Sequence, residues 1–169
     1  MKFLIVVDMQ VDFISGSLGS DHARAVVPHV VEKVKSFDGE VIFTRDTHTA
    51  DYLQTREGKH LPVPHCIKDT EGWQICKELR PYVKNVIDKE TFGSVALPQV
   101  ISAYGDNIDS IELCGLCTDI CVISNAMVLK AAFPEVDIRV DGTCSAGVTP
   151  ESHNTALAAM RAVQIEVMA

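Results

Sequence analysis

Short apolar runs alternate with amphipathic segments along the whole chain, and this alternation constrains the fold more than any other feature. The apolar runs predict six strands, at 2–7, 40–45, 85–88, 110–115, 136–140 and 164–168. The segments between them predict five helices, near 22–36, 72–81, 96–104, 119–132 and 151–163. Because consecutive parallel strands need a long crossover between them, this order is typical of an α/β fold. We expect three layers: a mostly parallel six-stranded, Rossmann-like sheet with helices on both faces.

Length and charge narrow the classes of protein that fit. The 169 residues are 47% hydrophobic, and we expect one domain spanning 1–169. A formal net charge of -8 without a basic stripe argues against a nucleic-acid partner. No run of 18 apolar residues suggests a membrane span, and Asp8 and Asp12 interrupt the first apolar run too early for a signal peptide. Six irregularly spaced cysteines favour reduced thiols, and so a cytoplasmic protein.

One cysteine lies where a nucleophile is expected. Cys121 ends the segment Gly115-Leu116-Cys117-Thr118-Asp119-Ile120-Cys121, between the fourth predicted strand and the helix that follows it. The N–H groups at a helix N-terminus lower a thiol pKa and can bind an oxyanion. Free cysteines more often pack in the core, so the segment alone leaves both interpretations open. The cysteines expected to be packing residues are Cys66, Cys76, Cys114, Cys117 and Cys144.

Two charged residues follow other predicted strands. Asp8 follows the first strand, and Lys89 follows the strand at 85–88. If these strands are parallel and adjacent to the strand before Cys121, the three side chains reach the same carboxyl edge, where open α/β sheets bind ligands. Each residue alone is explained as well by a turn or a solvated loop. The coincidence of all three predicts a site.

The segment after the second strand contains metal-ligand residue types. In Asp46-Thr47-His48 the extended backbone places the carboxylate and the imidazole on one side. The aperiodic stretch from 47 to 72 predicts a long loop above the sheet edge. Its further donors are Glu57, His60 and His65. Imidazoles with carboxylates suit Zn²⁺, Mn²⁺ or Fe²⁺ better than Ca²⁺, although loop histidines are more often only solvated.

Five motifs follow one another along the chain: Val7-Asp8-Met9-Gln10-Val11-Asp12-Phe13 with Gly16-Ser17-Leu18, Asp46-Thr47-His48, Pro64-His65-Cys66, Lys89-Glu90-Thr91-Phe92-Gly93-Ser94, and Gly115-Leu116-Cys117-Thr118-Asp119-Ile120-Cys121-Val122. In this order they make the chain similar to the isochorismatase-like cysteine hydrolases, and within them to the nicotinamidases. The resemblance covers nearly the whole chain. It implies that Asp8 is the base, Lys89 the cation and Cys121 the nucleophile of a catalytic triad.

The resemblance also implies a divalent metal, with zinc the first expectation. Asp46, His48 and His65 match three nicotinamidase ligands directly. Glu57 has the spacing of a fourth, with His60 ranked behind it for that position. Isochorismatases that are not amidases lack this set, so its presence favours the nicotinamidase branch.

The expected reaction is hydrolysis of a small carboxamide, nicotinamide first, to an acid and ammonia. The backbone N–H groups of Cys117 and Cys121 would hold the oxyanion, and in the family the bond matching Leu116–Cys117 is a cis peptide. Phe13 and Phe92 are the expected substrate contacts, and Trp73 is a third candidate. We also expect a homo-oligomer.

Two departures from the family pattern concern the substrate. Ile120 stands where nicotinamidases often have histidine, directly before the nucleophile. The segment before His65, Leu61-Pro62-Val63-Pro64, lacks the aromatic residue that many of them stack on the pyridine ring.

Three other functions compete with this one. An isochorismatase or an N-carbamoyl amide hydrolase would keep the triad without the metal. A catalytically inactive binding or scaffold protein would keep only the fold. A nucleotide-binding domain fits poorly, because the turn after the first strand has no glycine-rich phosphate loop.

Overall fold

A computed structural model describes all 169 residues and contains one six-stranded sheet. Every strand pair is parallel, and the strand order is β3-β2-β1-β4-β5-β6. The predicted α/β class is therefore confirmed. The strands are β1 (Lys2–Val7), β2 (Glu40–Asp46), β3 (Asn85–Lys89), β4 (Ser110–Leu116), β5 (Asp137–Ala146) and β6 (Glu166–Met168).

Six helices connect the strands, and the two longest begin at side-chain caps. The Ser20 hydroxyl accepts a hydrogen bond from Ala23 N, and Thr149 accepts one from Ser152 N ahead of Pro150. No helix combines the length and the hydropathy needed to span a membrane. The helices are α1 (Val11–Ile14), α2 (Asp21–Ser36), α3 (Arg56–His60), α4 (Leu97–Ser102), α5 (Ile123–Ala132) and α6 (Pro150–Ala162).

The sheet separates two hydrophobic clusters, so β1 is buried on both faces. Leu4 and Val6 pack into the cluster beneath α2, whereas Phe3, Ile5 and Val7 pack into the cluster beneath α4, α5 and α6. Alternate residues of a strand point to opposite faces, which explains this division. A continuous apolar run is what a central strand of a covered parallel sheet requires.

The helix predicted at 72–81 is wrong. The segment forms consecutive turns that end in a short 3₁₀ turn at Arg80–Tyr82. Trp73, Cys76 and Leu79 are buried at the spacing of a helix face, which explains the prediction. The segment instead hydrogen-bonds to the chain after β1, with Cys76 N donating to Met9 O at 2.9 Å. Long-range contacts therefore override a local helical period here.

Asp141-Gly142 is a dipeptide typical of turns, but β5 continues through it to Ala146. The β4–β5 register shifts between Leu113 and Gly115, as a bulge does. The Asp141 carboxylate accepts hydrogen bonds from the N–H groups of Thr143 and Cys144 and so satisfies the bulged backbone. The end of β5 can then pair with the last residues of β4, just before the segment that carries Cys121.

The strands carrying Asp8 and Lys89 are parallel but not adjacent, since β2 lies between β1 and β3. Strand order changes direction at β1, which has β2 on one side and β4 on the other. In open α/β sheets a ligand crevice forms at such a switch point, beyond the carboxyl ends of the strands. The same edge therefore receives the residues that follow β1, β2, β3 and β4.

Candidate active site

Asp8, Lys89 and Cys121 meet at the carboxyl edge of the sheet, and all three are nearly inaccessible to solvent. The Lys89 ammonium lies 2.6 Å from Asp8 Oδ2 and 3.4 Å from Cys121 Sγ. It also donates to Thr91 O at 3.1 Å, in the loop that follows β3. One buried cation thus joins a carboxylate and a thiol, which is the arrangement that cysteine acyl transfer requires.

A hydrogen bond from Thr44 of β2 holds the Asp8 carboxylate in place. Thr44 Oγ1 donates to Asp8 Oδ1 at 2.6 Å, and the Asp8 N–H donates to Thr44 O at 3.2 Å. Asp8 has a φ of 47°, a left-handed conformation that aspartate tolerates better than most residues. Thr44 is a site residue that the sequence analysis missed, since a threonine inside a strand carries no signal of its own.

Burial and charge set the protonation states of this trio. Burial raises the pKa of Asp8 despite the opposing charge of Lys89. Burial alone would lower the pKa of Lys89, but the charges of Asp8, Cys121 and Asp46 raise it above its ordinary value. Burial followed by the charge of Asp8 raises the pKa of the Cys121 thiol, which Lys89 only partly offsets. These shifts favour the protonated thiol, opposite to the lowered thiol pKa expected at a helix N-terminus.

The backbone around Cys121 is unusual. The Leu116–Cys117 peptide bond is cis, at the position where the family resemblance implied it. A π-helical turn at Thr118–Val122 follows, with Val122 N donating to Cys117 O at 3.0 Å, and it leads into α5. The Cys117 N–H donates to no protein acceptor. It is one of the two N–H groups expected to bind an oxyanion.

Four metal-ligand residue types converge beside this trio. Donor atoms of Asp46, His48, Glu57 and His65 all lie within 4.8 Å of one another. Asp46 Oδ2 is 2.9 Å from His48 Nε2 and 3.4 Å from His65 Nε2. Glu57 Oε1 is 3.5 Å from His48 Nε2 and 3.6 Å from His65 Nε2. Ligands at about 2.0–2.2 Å from one ion lie roughly 3.0–3.6 Å apart, so the cluster fits a divalent metal.

The neighbours of the cluster also suit a metal. His65 Nδ1 lies 2.8 Å from Val63 O, and donating to that carbonyl would leave Nε2 free as a ligand. The buried Tyr52 ring packs edge-on against His48 and His65. The other Asp46 oxygen lies 3.4 Å from Lys89 Nζ, so the donor cluster and the trio share a contact. Residues predicted from a strand end and from a distant loop therefore form one continuous site.

The other predicted site residues, Phe13, Phe92, His60 and Trp73, differ in their distance from the donor cluster. Phe13 is buried, with its ring centroid 5.5 Å from that of His65. Phe92 is 44% exposed on the loop after Lys89. His60 lies on the surface, with Nδ1 2.9 Å from Arg56 O, and is not part of the donor cluster. Trp73 is a packing residue, since it is buried in the core, donates to Thr47 Oγ1 and lies beneath the Arg45 guanidinium.

Two buried amides hold the site together, and neither was anticipated. Gln10 pairs with the Asp46 backbone, accepting from its N–H and donating to its carbonyl, both at 2.8 Å. Asn125 links the loop after β3 to the turn that carries Cys121. Both residues are completely buried. Neither amide carries a signal in the sequence, because only the structure shows that they are buried, and buried amides persist only where they are hydrogen-bonded.

Solved structures resemble the whole chain. The nicotinamidase/pyrazinamidase PncA from Bacillus subtilis is 27% identical, with a TM-score of 0.85 and 99% of each chain covered. A pyrazinamidase of Pyrococcus horikoshii in complex with zinc is 24% identical, with a TM-score of 0.83 and 99% of this chain and 98% of that one covered. PnC1 from L. infantum, in complex with nicotinate, is 22% identical, with a TM-score of 0.84 and coverages of 99% and 91%.

No curated protein sequence matches the chain significantly. A sequence model of the isochorismatase domain, in contrast, matches residues 2–169. The matched region includes every strand whose end contributes a residue to the site. The protein therefore belongs to the isochorismatase family.

Proposed function

We propose that the protein is a metal-assisted cysteine amidase that hydrolyses a small carboxamide, with nicotinamide as the first candidate, to nicotinate and ammonia. The observation that carries the proposal is the position of Lys89. Its ammonium contacts Asp8, Cys121 and Asp46, and so joins a nucleophilic trio to a four-donor cluster that fits a metal. The B. subtilis neighbour, at 27% identity over the whole chain, supports the same activity.

The proposed acylation begins at the thiol. Asp8 takes the proton from Cys121 Sγ, and Lys89 stabilises the resulting thiolate. The thiolate attacks the carboxamide carbon, and the N–H groups of Cys117 and Cys121 hold the tetrahedral oxyanion. Asp8 then gives its proton to the departing amine, which leaves as ammonia. This role suits a carboxylate whose pKa is raised by burial, because such a group both accepts and returns a proton.

Deacylation uses the same groups in reverse. Asp8 removes a proton from water, which attacks the thioester within reach of the same N–H groups. Collapse of the intermediate releases the acid and returns the proton to Cys121. The charge of Lys89 is constant throughout, since the surrounding anions raise its pKa above the ordinary value.

Asp46, His48, Glu57 and His65 would hold the metal, for which Zn²⁺ is the first candidate and Mn²⁺ or Fe²⁺ the others. A bound divalent ion there supplies a Lewis acid that can bind a ring nitrogen or an ordered water. Zinc accompanies the P. horikoshii pyrazinamidase with the same fold. The thiol nucleophile itself needs no metal-activated water.

Substrate contacts are proposed for Phe13, beside His65, and for Phe92, on the loop after Lys89. The segment before His65 has no aromatic residue to stack on a pyridine ring. Such a stack is worth about 0.5–1.5 kcal/mol, so we expect an elevated KM for nicotinamide without loss of turnover. All six cysteines are free, which fits a reducing compartment such as the cytoplasm. A homo-oligomer stays a prediction that light scattering can test.

Ammonia release from a panel of amides tests the proposal. Metal-replete enzyme is assayed with nicotinamide, pyrazinamide and carbamoyl compounds at millimolar concentration. We expect turnover of the two ring carboxamides, and loss of it after chelation. Turnover restricted to carbamoyl compounds would assign the protein to the metal-independent branch. An inert Cys121 in iodoacetamide labelling, with no turnover at all, would indicate a binding protein that retains only the fold.

A further inference from the structure

Asn125 makes three hydrogen bonds to two different segments of the site. It lies one helical turn after Cys121 and is completely buried. Its Nδ2 donates to Cys121 O at 2.8 Å and to Phe92 O at 3.1 Å, and its Oδ1 accepts from Ser94 N at 2.9 Å. Both N–H donors and the carbonyl of the amide are therefore used. A satisfied buried amide of this kind fixes the geometry of the groups it joins.

The loop that Asn125 holds comes close to the helix backbone. A Cβ built on Gly93 would lie 3.0 Å from Ser124 O and 3.2 Å from Val128 Cγ2, so a larger residue would push the loop away from α5. At its other end the loop is tied to the trio, because Lys89 Nζ donates to Thr91 O. The segment that carries Phe92 is thus attached to the nucleophile turn and to the catalytic cation.

We infer that Asn125 is a positioning residue that couples the Thr91–Ser94 loop to the turn carrying Cys121 and keeps the substrate-side loop at a fixed spacing from the nucleophile. The kinetic part of this inference rests on the proposed function, whereas the structural part does not. Only an amide fits the contacts. An aspartate would place a carboxylate oxygen, which cannot donate, against the carbonyls of Phe92 and Cys121, and a hydroxyl could serve one partner but not three.

Two variants separate the contacts. Asn125→Ala removes all three hydrogen bonds. Asn125→Ser keeps a hydroxyl that can bond the carbonyl of Cys121 four residues earlier, but it cannot reach the loop. Asn154→Ala is the matched control, since Asn154 is an exposed residue of α6. Circular dichroism and thermal unfolding first establish that each variant folds. If Asn125→Ala does not fold, Asn125→Ser, the smaller change, is used for the measurements.

The structural arm needs no substrate. The Ser94 N–H has only the Asn125 carbonyl as its acceptor, so both variants should lose at least about tenfold of its hydrogen-exchange protection. Iodoacetamide should alkylate the buried Cys121 about fivefold faster or more in Asn125→Ala, because a released loop exposes the thiol. Asn154→Ala should match the wild type in both. Unchanged Ser94 protection in both variants would overturn the inference.

The kinetic arm tests whether the Thr91–Ser94 loop affects substrate binding and turnover. Asn125→Ser should mainly raise KM for nicotinamide. Asn125→Ala should lower kcat as well, with a total loss of about ten- to a hundredfold in kcat/KM. Adding Phe92→Ala to Asn125→Ala should cost less than the two single losses combined, as for coupled residues. Lost Ser94 protection with wild-type kinetics and alkylation would overturn the inference. A wild type that hydrolyses no amide would overturn the proposed function instead. Hydrogen exchange at Ser94 and alkylation of Cys121 would then test whether Asn125 couples the loop to the turn carrying Cys121.

Discussion

At the scale of single residues, the site depends on burial as much as on residue type. Cys121, Asp8 and Lys89 are at most 4% exposed, and burial is the largest influence on each of their pKa values. A thiol with a raised pKa reacts only when a neighbouring base takes its proton. If Cys121 is the nucleophile and Asp8 its base, as proposed, each depends on the other, and we expect the loss of either side chain to abolish turnover.

Removing the thiol should abolish turnover. For Cys121→Ala we expect a loss of kcat far above a hundredfold, because no other group can form the acyl intermediate. The fold should be retained, as measured by circular dichroism. Cys144→Ala, on β5, is the control and should keep its activity. Residual activity above about one per cent in Cys121→Ala would contradict the covalent mechanism.

Removing the hydroxyl that Asp8 accepts from should shift the pH profile. The hydrogen bond from Thr44 lowers the pKa of Asp8 and so opposes the larger effect of burial. In Thr44→Val the pKa of Asp8 should rise further, and a smaller fraction of the base is then ionised at a given pH. The acid limb of kcat/KM should move to higher pH by about half a unit to one unit. An unmoved acid limb would show that Asp8 is not the titrating base.

At the scale of elements, a partly buried ionic cluster ties α2 to β4 and β5. Lys33 on α2 pairs with Glu112 on β4 and lies 2.6 Å from Asp141 Oδ2 on β5. The Asp141 carboxylate also satisfies the bulge of β5. The cluster therefore holds a helix on the sheet and stabilises the irregular strand that pairs with the end of β4.

Lys33→Met should destabilise the protein by about 3 kcal/mol at neutral pH, since it leaves the carboxylates of Glu112 and Asp141 without their shared cation. Burial alone would raise the pKa of Asp141, but its hydrogen bonds from Lys33 and Thr143 lower it below the ordinary value. This stabilisation is present above the ordinary carboxyl pKa and is lost as the pH falls through the lower folded value. The difference between variant and wild type in urea unfolding should therefore shrink below about pH 4.

Lys35→Met is the control for that comparison. Lys35 lies on the same helix, but it forms only an exposed pair with Glu32. Such pairs contribute about 0–1 kcal/mol, so this variant should unfold close to the wild type at every pH. An equal loss of unfolding free energy in Lys33→Met and Lys35→Met would show that the cluster of Lys33 stabilises the protein no more than an exposed ion pair.

At the scale of the whole molecule, the metal should stabilise the fold. An ion held at a hundred times its Kd adds about 2.7 kcal/mol, which corresponds to a rise in Tm of about 5–10 °C for a chain of this size. Zinc should produce this rise in the wild type and in His60→Ala, but not in His48→Ala. Thermal unfolding with zinc and with chelator, together with elemental analysis, provides the measurement. A His48→Ala variant with the same metal content and the same Tm shift as the wild type would contradict the proposed metal site.

The sequence by itself determined the class of fold and the edge at which the site lies. An apolar run at β1 can be satisfied only by a strand covered on both faces, and the side chain after a parallel strand necessarily lies at the carboxyl edge. Asp8, Asp46 and Lys89 could therefore be placed together from local patterns alone. The motifs then made the isochorismatase family recognisable, which the whole-chain match confirms.

Only the tertiary structure decided which elements meet. Glu57 rather than His60 belongs to the donor cluster because α3 packs through Gly58 against the backbone of Tyr52, which leaves His60 exposed. The helical period at 72–81 became turns because backbone groups after β1 take up its hydrogen bonds. Thr44 and Asn125 carry no local signal, since their roles come from partners 36 and 31 to 33 residues away. Contacts at such separations depend on the packing of the whole chain, which local periodicity does not encode.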